Sequence, residues 1–421
     1  MVNKVKKRIL FSINRTHNFM QKMLILYLLA LCFSYTYGIN LNSISIRISD
    51  IILFAFIFIG VCLIILRKEI RIHPKIFLPI IPFILLETIL PIIGAFSADL
   101  TDIASGFRIL ILYLPIIVYF LLYGLKGIEI LDNRISNSLK IVIVANFIYS
   151  MVQLLVVFNY FPENMLVTKY FEQWTVDEHF QIIDGIRASG FFVNTTSLSV
   201  FGLISMSYFL AKYRKFHYNK DLLYAAAALT LIIVSTSRMA YISATVILVV
   251  ALLINIRKSW KFFIIISSIS TAVLFFINKS VGFDMFFSRF IRLQDGLEND
   301  YSMKARLVNW DNILEILDTT FPIGTLISPI RIFGSIDSGY LTYYAQGKWL
   351  FILALVFLFL SIMVILCKYL FNPNNYWSVI FLLFVSIYVF TALIISNPLR
   401  SPTIIFFLTY SIVYIKYESR I

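Results

Sequence analysis

Apolar runs of about bilayer-spanning length recur along the whole chain, and they constrain it more than any single motif does. They fall at 23–39, 48–66, 76–95, 104–124, 138–158, 191–211, 221–237, 239–256, 260–278, 349–367, 376–396 and 401–416. A hydrocarbon core of roughly 30 Å takes about 20 helical residues, and backbone groups in lipid must be satisfied within the structure that crosses it. Helices meet both demands. A β-barrel strand would alternate in polarity, whereas 239–256 and 350–366 are apolar on all sides. A water-soluble chain has about 25% charged residues; this one has 14%, with 60% hydrophobic. The expected fold is therefore all-α: one integral-membrane domain over 1–421, a polytopic bundle of about twelve spans.

Loop charge orients the bundle. The loops 67–75 (Arg67, Lys68, Arg71, Lys75), 212–220 (Lys212, Arg214, Lys215, Lys220) and 257–261 (Arg257, Lys258, Lys261) are basic, and 96–103 is acidic (Asp99, Asp102). Basic residues in short loops hold those loops in the cytoplasm. Both termini then lie inside, and the long loops 159–190 and 279–348 lie outside. This requires a turn at Ser235-Thr236-Ser237-Arg238, because the apolar stretch 222–256 is too long for one helix. The basic segment 1–22 reads as a cytoplasmic tail, since no small-residue cleavage site follows the first apolar run. The formal charge of +14 is thus a topology signal, and no nucleic-acid partner is expected. Cys32, Cys62 and Cys367 all fall inside apolar runs, as small buried hydrophobes would, so neither a disulfide nor a metal site is expected.

The loop 279–348 is far too long to be a turn, and loops of this length in compact proteins are functional or disordered. Its aromatics, among them Phe283, Phe286, Phe287, Tyr301, Trp310, Tyr340, Tyr343 and Tyr344, can bury enough area to order it. Arginines also gather on the outer side, against the charge rule: Arg187, Arg238, Arg289, Arg292, Arg306, Arg331 and Arg400. A guanidinium forks onto a phosphate through two bonds, whereas an ammonium is a point charge. Such a cluster suits a phosphate or diphosphate head group. The plainer alternative is that each arginine snorkels or pairs with a loop carboxylate.

Within the spans, Glu87 and Arg108 are placed to form an intramembrane pair, Asn146 and Gln153 read as interhelical hydrogen bonders, and Pro79, Pro82 and Pro91 kink the third span. Acid–base candidates in the outer loops are Asp177, Glu178, His179, Asp184, Asp295, Glu298, Asp300, Asp311, Glu315 and Asp337. Asp337 leads them, because it stands just before Gly339-Tyr340-Leu341 near the membrane surface. A desolvated carboxylate there can serve as a base; otherwise it caps a helix or pairs with Arg331. There is no P-loop, no GxSxG and no HExxH.

Four short segments resemble the O-antigen polymerase and ligase superfamily. Arg187-Ala188-Ser189-Gly190-Phe191-Phe192-Val193-Asn194 is similar to its Arg-x-x-Gly…Asn segment leading into a span, and Ser235-Thr236-Ser237-Arg238 to its outer Ser-Arg turn. Arg306…Trp310 with Phe321-Pro322-Ile323-Gly324, and then Asp337-Ser338-Gly339-Tyr340-Leu341 with Gly347, resemble the ordered pattern of its large outer loop. The likeness covers roughly 185–370. The second glycine that many members carry after the Phe-Pro-x-Gly pattern is missing, and Asp337 stands about where ligases place a histidine, which favours a polymerase.

The resemblance implies a glycosyltransferase-C-like bundle in the bacterial inner membrane. Its substrates would be undecaprenyl-diphosphate-linked oligosaccharides, polymerised at the outer face into O-antigen or capsule-type polysaccharide. The protein partners it implies are a chain-length regulator and a flippase. Asp337, Arg238 and Arg306 would be catalytic. Arg187, Arg289, Arg292 and Arg331 would bind diphosphate, while Trp310, Tyr340 and Tyr343 would stack on sugars or anchor at the interface. The arginines supply the positive charge, so no cofactor or metal is expected. Two alternatives stay open: a flippase for the same lipid-linked oligosaccharide, and an O-antigen ligase.

Overall fold

The computed structural model describes residues 2–33, 38–41, 44–67, 72, 74–95, 100–157, 188–192, 195–254, 301–334, 336–370 and 376–420, with isolated positions 264, 268, 271 and 275. The helices are α1 (Val2–Phe33), α2 (Ile48–Arg67), α3 (Ile81–Ala95), α4 (Leu100–Tyr123), α5 (Ile128–Val157), α6 (Thr195–Phe216), α7 (Asn219–Ser235) and α8 (Arg238–Ile254). After them come α9 (Tyr301–Thr320), α10 (Gly339–Leu370), α11 (Trp377–Ala392) and α12 (Pro402–Glu418). Three stretches are long and apolar enough to cross a membrane: Ile48–Leu66, Ile128–Leu155 and Gly339–Leu370. Shorter apolar helices cover Ile81–Gly94, Ile111–Tyr123, Arg238–Ile254 and Trp377–Ala392. The chain is a helical membrane protein.

Burial sorts the helices into inner and outer ones. Every residue of α6 from Phe201 to Tyr213 is buried, as is every residue of α12 from Ile404 to Ile415. A helix that is apolar all round belongs in the interior. By contrast α2 and α10 leave large apolar side chains uncovered, Phe54, Phe58 and Ile65 on one and Leu353, Leu360 and Val364 on the other. In water those faces would be adhesive; in a bilayer they meet lipid. α6 and α7 pack closely because Gly202 lacks a side chain: a Cβ there would lie 3.0 Å from the Ala228 carbonyl oxygen.

A buried polar pin ties three helices together. Asp132 of α5 accepts from Lys212 Nζ at 2.6 Å and Tyr208 Oη at 2.5 Å, both on α6, and from Tyr410 Oη of α12 at 2.9 Å. A carboxylate this deep persists only when paired and hydrogen-bonded.

Several boundaries differ from the apolar pattern. α1 extends back through the basic segment 2–22, and α5 starts ten residues before its apolar run, at Ile128. A two-stranded antiparallel hairpin joins α1 to α2, with Gly38 opposite Arg47 and Leu41 opposite Ile44. Pro79 precedes α3 and Pro82 sits in its first turn, where a missing N–H costs nothing; of the three prolines, Pro91 alone lies inside the helix. The turn between α7 and α8 falls at Thr236, in left-handed conformation (φ 49°). Spans at 260–278 lie outside the described residues apart from the isolated positions.

Candidate functional site

One end of the bundle gathers the chemistry. There α10 begins, and Gly339 and Tyr340 donate their backbone N–H groups to the carbonyl of Leu393, just past α11, at 2.9 and 3.2 Å. The two backbones touch because residue 339 is glycine; a Cβ would lie 2.4 Å from the Ser396 carbonyl oxygen. This fixes Asp337, two residues earlier. Arg306 of α9 reaches it through Nε at 3.2 Å. The side chains remain 32% and 47% exposed, so Asp337 is not the desolvated carboxylate the sequence suggests. Arg306 is one partner of Asp337; the side chain of Arg331 lies outside the described residues.

α9 is seated by its own periodicity. Arg306, Trp310, Ile313 and Leu317 recur at helical spacing and share a face. Ile313 and Leu317 are buried against Ile336 and Ala345, with Phe321, Phe333, Leu341 and Tyr344 around them. Trp310 presents a buried Nε1–H with no hydrogen-bond partner among the described residues. Most buried donors are satisfied, so this one, a helical turn after Arg306, stands out.

The helix α10 breaks in its third turn. Gly347 (φ −146°, ψ 20°) and Lys348 (φ 48°, ψ −133°) are non-helical. The carbonyls so freed need donors, because no lipid can supply them. Thr325 N donates to Ala345 O at 2.8 Å, and Leu326 N to Gln346 O at 2.9 Å. Gly324 (φ 94°) permits the approach: a Cβ there would sit 2.8 Å from Gln346 O and 2.9 Å from Ala345 O. Lys348 Nζ closes the joint on Leu317 O at 3.2 Å and Asp318 Oδ1 at 2.8 Å. Phe321-Pro322-Ile323-Gly324 is thus the wedge that holds the break open and α9 in place.

Beside the break lies a buried ion pair. Arg400 stands on the 3-10 turn Pro398–Arg400. Its Nε and Nη2 meet the two carboxylate oxygens of Glu87 at 3.1 and 3.2 Å, and Nη2 also meets Gln346 Oε1 at 2.6 Å. Glu87 is fully buried and the Arg400 side chain 18% exposed. Both Glu87 carboxylate oxygens accept from Arg400; the side chain of Arg108, the partner suggested by neighbouring spans, lies outside the described residues. Tyr343 lies 5.7 Å under the guanidinium, gives its hydroxyl to Asn397 Oδ1 at 2.6 Å and packs on Phe83 and Phe351. With no exposed surface, its ring is closed to a sugar. Tyr340 is half-buried and donates to Phe390 O at 3.4 Å.

Arg238 opens α8 at the same end. α8 is tied to α11 by a 2.6 Å bond between Ser243 and Thr391 hydroxyls, and the α7–α8 turn is closed by Ser235 Oγ on Ile232 O. Ala188 N donates to Val234 O at 2.9 Å, which brings the segment following Arg187 against this turn. Asn146 and Gln153 explain why that segment is held. Gln153 Oε1 accepts from Ser189 N and Gly190 N, and Asn146 Oδ1 from Phe191 N at 2.8 Å. These amides bind a connecting backbone rather than another helix, and Gly190 (φ 58°) has no room for a Cβ over Asn146 Oδ1.

Arg187, Arg289 and Arg292 lie outside the described residues. Arg400, one of the seven arginines of the expected outer cluster, joins the site as the partner of Glu87; Gln346 and Lys348 join it though no motif marks them. Among the described residues, no three His, Cys, Asp or Glu side chains are grouped to hold a metal ion. No family model and no curated protein matches the chain.

Proposed function

We propose that the protein is a membrane glycosyltransferase with a twelve-span, glycosyltransferase-C-like bundle. It would polymerise undecaprenyl-diphosphate-linked oligosaccharide repeat units at the outer face of the bacterial inner membrane. One observation supports the reading: segments pack in two groups, 188–191 against the turn 235–238, and 306–310 and 321–324 against 337–347, with α11 bonded to α8 through Thr391 and the carbonyl of Leu393 just past it bonded to Gly339. They are the segments in which the resemblance resides.

In the proposed reaction an acceptor hydroxyl oxygen of one lipid-linked unit attacks the anomeric carbon of another. The bond from that carbon to the diphosphate oxygen breaks, and the lipid diphosphate departs with the electron pair. Arg238 and Arg306 balance the charge that grows on it, commonly the largest catalytic contribution. Asp337, close to Arg306 and open to solvent, takes the hydroxyl proton, worth roughly 10²–10⁴-fold.

The broken helix favours a second reading, a flippase for the same lipid, since interrupted helices mark substrate sites in transporters. Purified protein in vesicles, given only the lipid-diphosphate-linked repeat unit, separates the two. A ladder of repeat multiples, absent from Arg238→Ala, is the polymerase result. Substrate crossing to the opposite leaflet without a ladder is the flippase result.

A further inference from the structure

A polar cavity of about 380 Å³ opens between α5, α6, α7 and α12, at the end of the bundle opposite the α7–α8 turn. We propose that it binds a phosphoethanolamine group, a compact zwitterion, with the ammonium on Asp221 and the phosphate on Lys140. Nothing in this site depends on the glycosyl transfer proposed above.

The buried part of the lining is already neutral. Lys212 Nζ lies 2.6 Å from Asp132 Oδ2 and faces the rings of Tyr208 and Trp377 at 4.7 and 5.1 Å. Asp132 takes two tyrosine hydroxyls besides. This pair is satisfied and asks nothing of a ligand.

Two further charges in the lining are left over. Asp221 is only 7% exposed, yet among the described residues its carboxylate makes neither a hydrogen bond nor an ion pair. It stands in the first turn of α7, where a negative charge suits the helix dipole. The dipole offsets far less than the burial of an unpaired carboxylate costs. Lys140 of α5 is half-buried, and its ammonium faces the rings of Phe209 and Tyr224 at 5.9 and 5.4 Å. Among the described residues it meets no carboxylate. Asp221 and Lys140 line one cavity and act on each other electrostatically, but they do not touch. A single ion would satisfy one of them and leave the other. A group carrying both signs satisfies both.

The lining also says which zwitterion. It carries three carboxylates (Glu129, Asp132, Asp221) against two ammonium groups (Lys140, Lys212), a balance that favours a ligand with a positive end and opposes a bare phosphate dianion. A lysine ammonium is a rotatable point charge and suits a phosphodiester without demanding one geometry. The volume falls within the roughly 300–1,000 Å³ of small-ligand pockets. Phe216 and Tyr218, both exposed, stack on each other at 5.9 Å in the same lining, and tyrosines mark the head-group level of a bilayer. The group can therefore arrive free in water or on phosphatidylethanolamine.

Native mass spectrometry of the purified full-length protein in neutral detergent tests this. The probes are phosphatidylethanolamine, phosphatidylcholine and phosphatidylglycerol with the same chains, and free phosphoethanolamine. Phosphatidylethanolamine is expected to bind at least about tenfold more tightly than the other two lipids, because choline has no N–H to give Asp221 and glycerol has no positive charge. Asp221→Asn is expected to weaken phosphatidylethanolamine about tenfold and leave phosphatidylglycerol unchanged. Lys140→Gln, which breaks no ion pair among the described residues, is expected to weaken phosphatidylethanolamine by a similar factor. Displacement of the lipid by free phosphoethanolamine would assign the site to the soluble compound, and a lipid that stays in its excess would assign it to the bilayer; both uphold recognition of the group. Equal retention of the three lipids, a preference for phosphatidylglycerol, or unchanged phosphatidylethanolamine binding in either variant would overturn the proposal.

Discussion

Arg306 and Arg400 are both paired with carboxylates, yet the energies of the two pairs differ enough to assign different work to them. Arg306 meets Asp337 through one nitrogen in a partly exposed setting, where a pair contributes only about 0–1 kcal/mol. A diphosphate can displace such a partner at small cost. Arg400 instead holds a fully buried Glu87 through two nitrogens, and removing one member of a buried pair costs about 3–5 kcal/mol. Arg306 is therefore the candidate to release its partner for a substrate, and Arg400 a fixture of the scaffold. Arg306→Lys is expected to lose polymer synthesis almost as completely as Arg306→Ala, because the ammonium cannot fork onto two phosphate oxygens, while the thermal midpoint stays within about 1 kcal/mol of the parent. Full activity in the lysine variant would mean that charge alone suffices. Glu87→Gln is expected to act the other way round: it leaves the Arg400 guanidinium without its anion, and the midpoint falls by the equivalent of about 3–5 kcal/mol. An unchanged midpoint would show that Gln346 and Tyr343 satisfy Arg400 without Glu87.

The break in α10 is held from outside the helix, and this makes one glycine decisive. Gly324 has a positive φ, and its missing side chain lets two N–H groups of the loop reach the carbonyls of Ala345 and Gln346. Gly324→Ala adds backbone strain of about 1–3 kcal/mol and thrusts a methyl group into both carbonyls. The wedge should lift, freeing α9, and limited proteolysis is expected to cut between α9 and α10 in the variant while the parent resists; equal resistance would show that the apolar contacts of Ile313 and Leu317 hold α9 unaided. This joint also marks the border of what the sequence makes legible. Apolar runs located most helix ends to within a few residues, because burial and lipid contact select the same side chains. For the same reason they could not tell the enclosed α6 from the lipid-facing α2. The run beginning at 349 marks the break itself, yet the helical stretch Gly339–Gln346 ahead of it was hidden by tyrosines and polar residues that read as loop. α5 starts early because Asp132 and Ser136 are polar but buried, and a polar residue satisfied by distant tyrosines looks like a loop residue in sequence. Arg306 and Asp337 were both singled out in one long segment, but the partner expected there for Asp337 was Arg331. Glu87 with Arg400 was not legible, since 313 positions separate them and Arg108 stood on the adjacent span.

The two ends of the molecule differ in the balance of positive charge they carry. Arg238, Arg306 and Arg400, with Lys348, stand at the end where α10 breaks, and Lys75, Lys212, Lys368 and Lys416, with Arg134 and Arg214, stand toward the other. Under the proposed function the positive-inside bias, which acts on short loops near the ends of spans, would put the lysine-rich end in the cytoplasm and the arginine end outside, where a diphosphate head group would account for its charge. A reporter that is active only outside the cytoplasm, fused after Thr320 at the exposed end of α9, is expected to be active; fused at Lys220, at the α6–α7 turn, it is expected to be silent. The opposite pair of readings would turn the bundle over. It would put the arginines where nucleotide-linked donors are made, and the case for a lipid-diphosphate donor would go with it. The packing of α9 on α10 and the Glu87–Arg400 pair would stand unchanged, because they depend on contacts within the bundle and on neither leaflet.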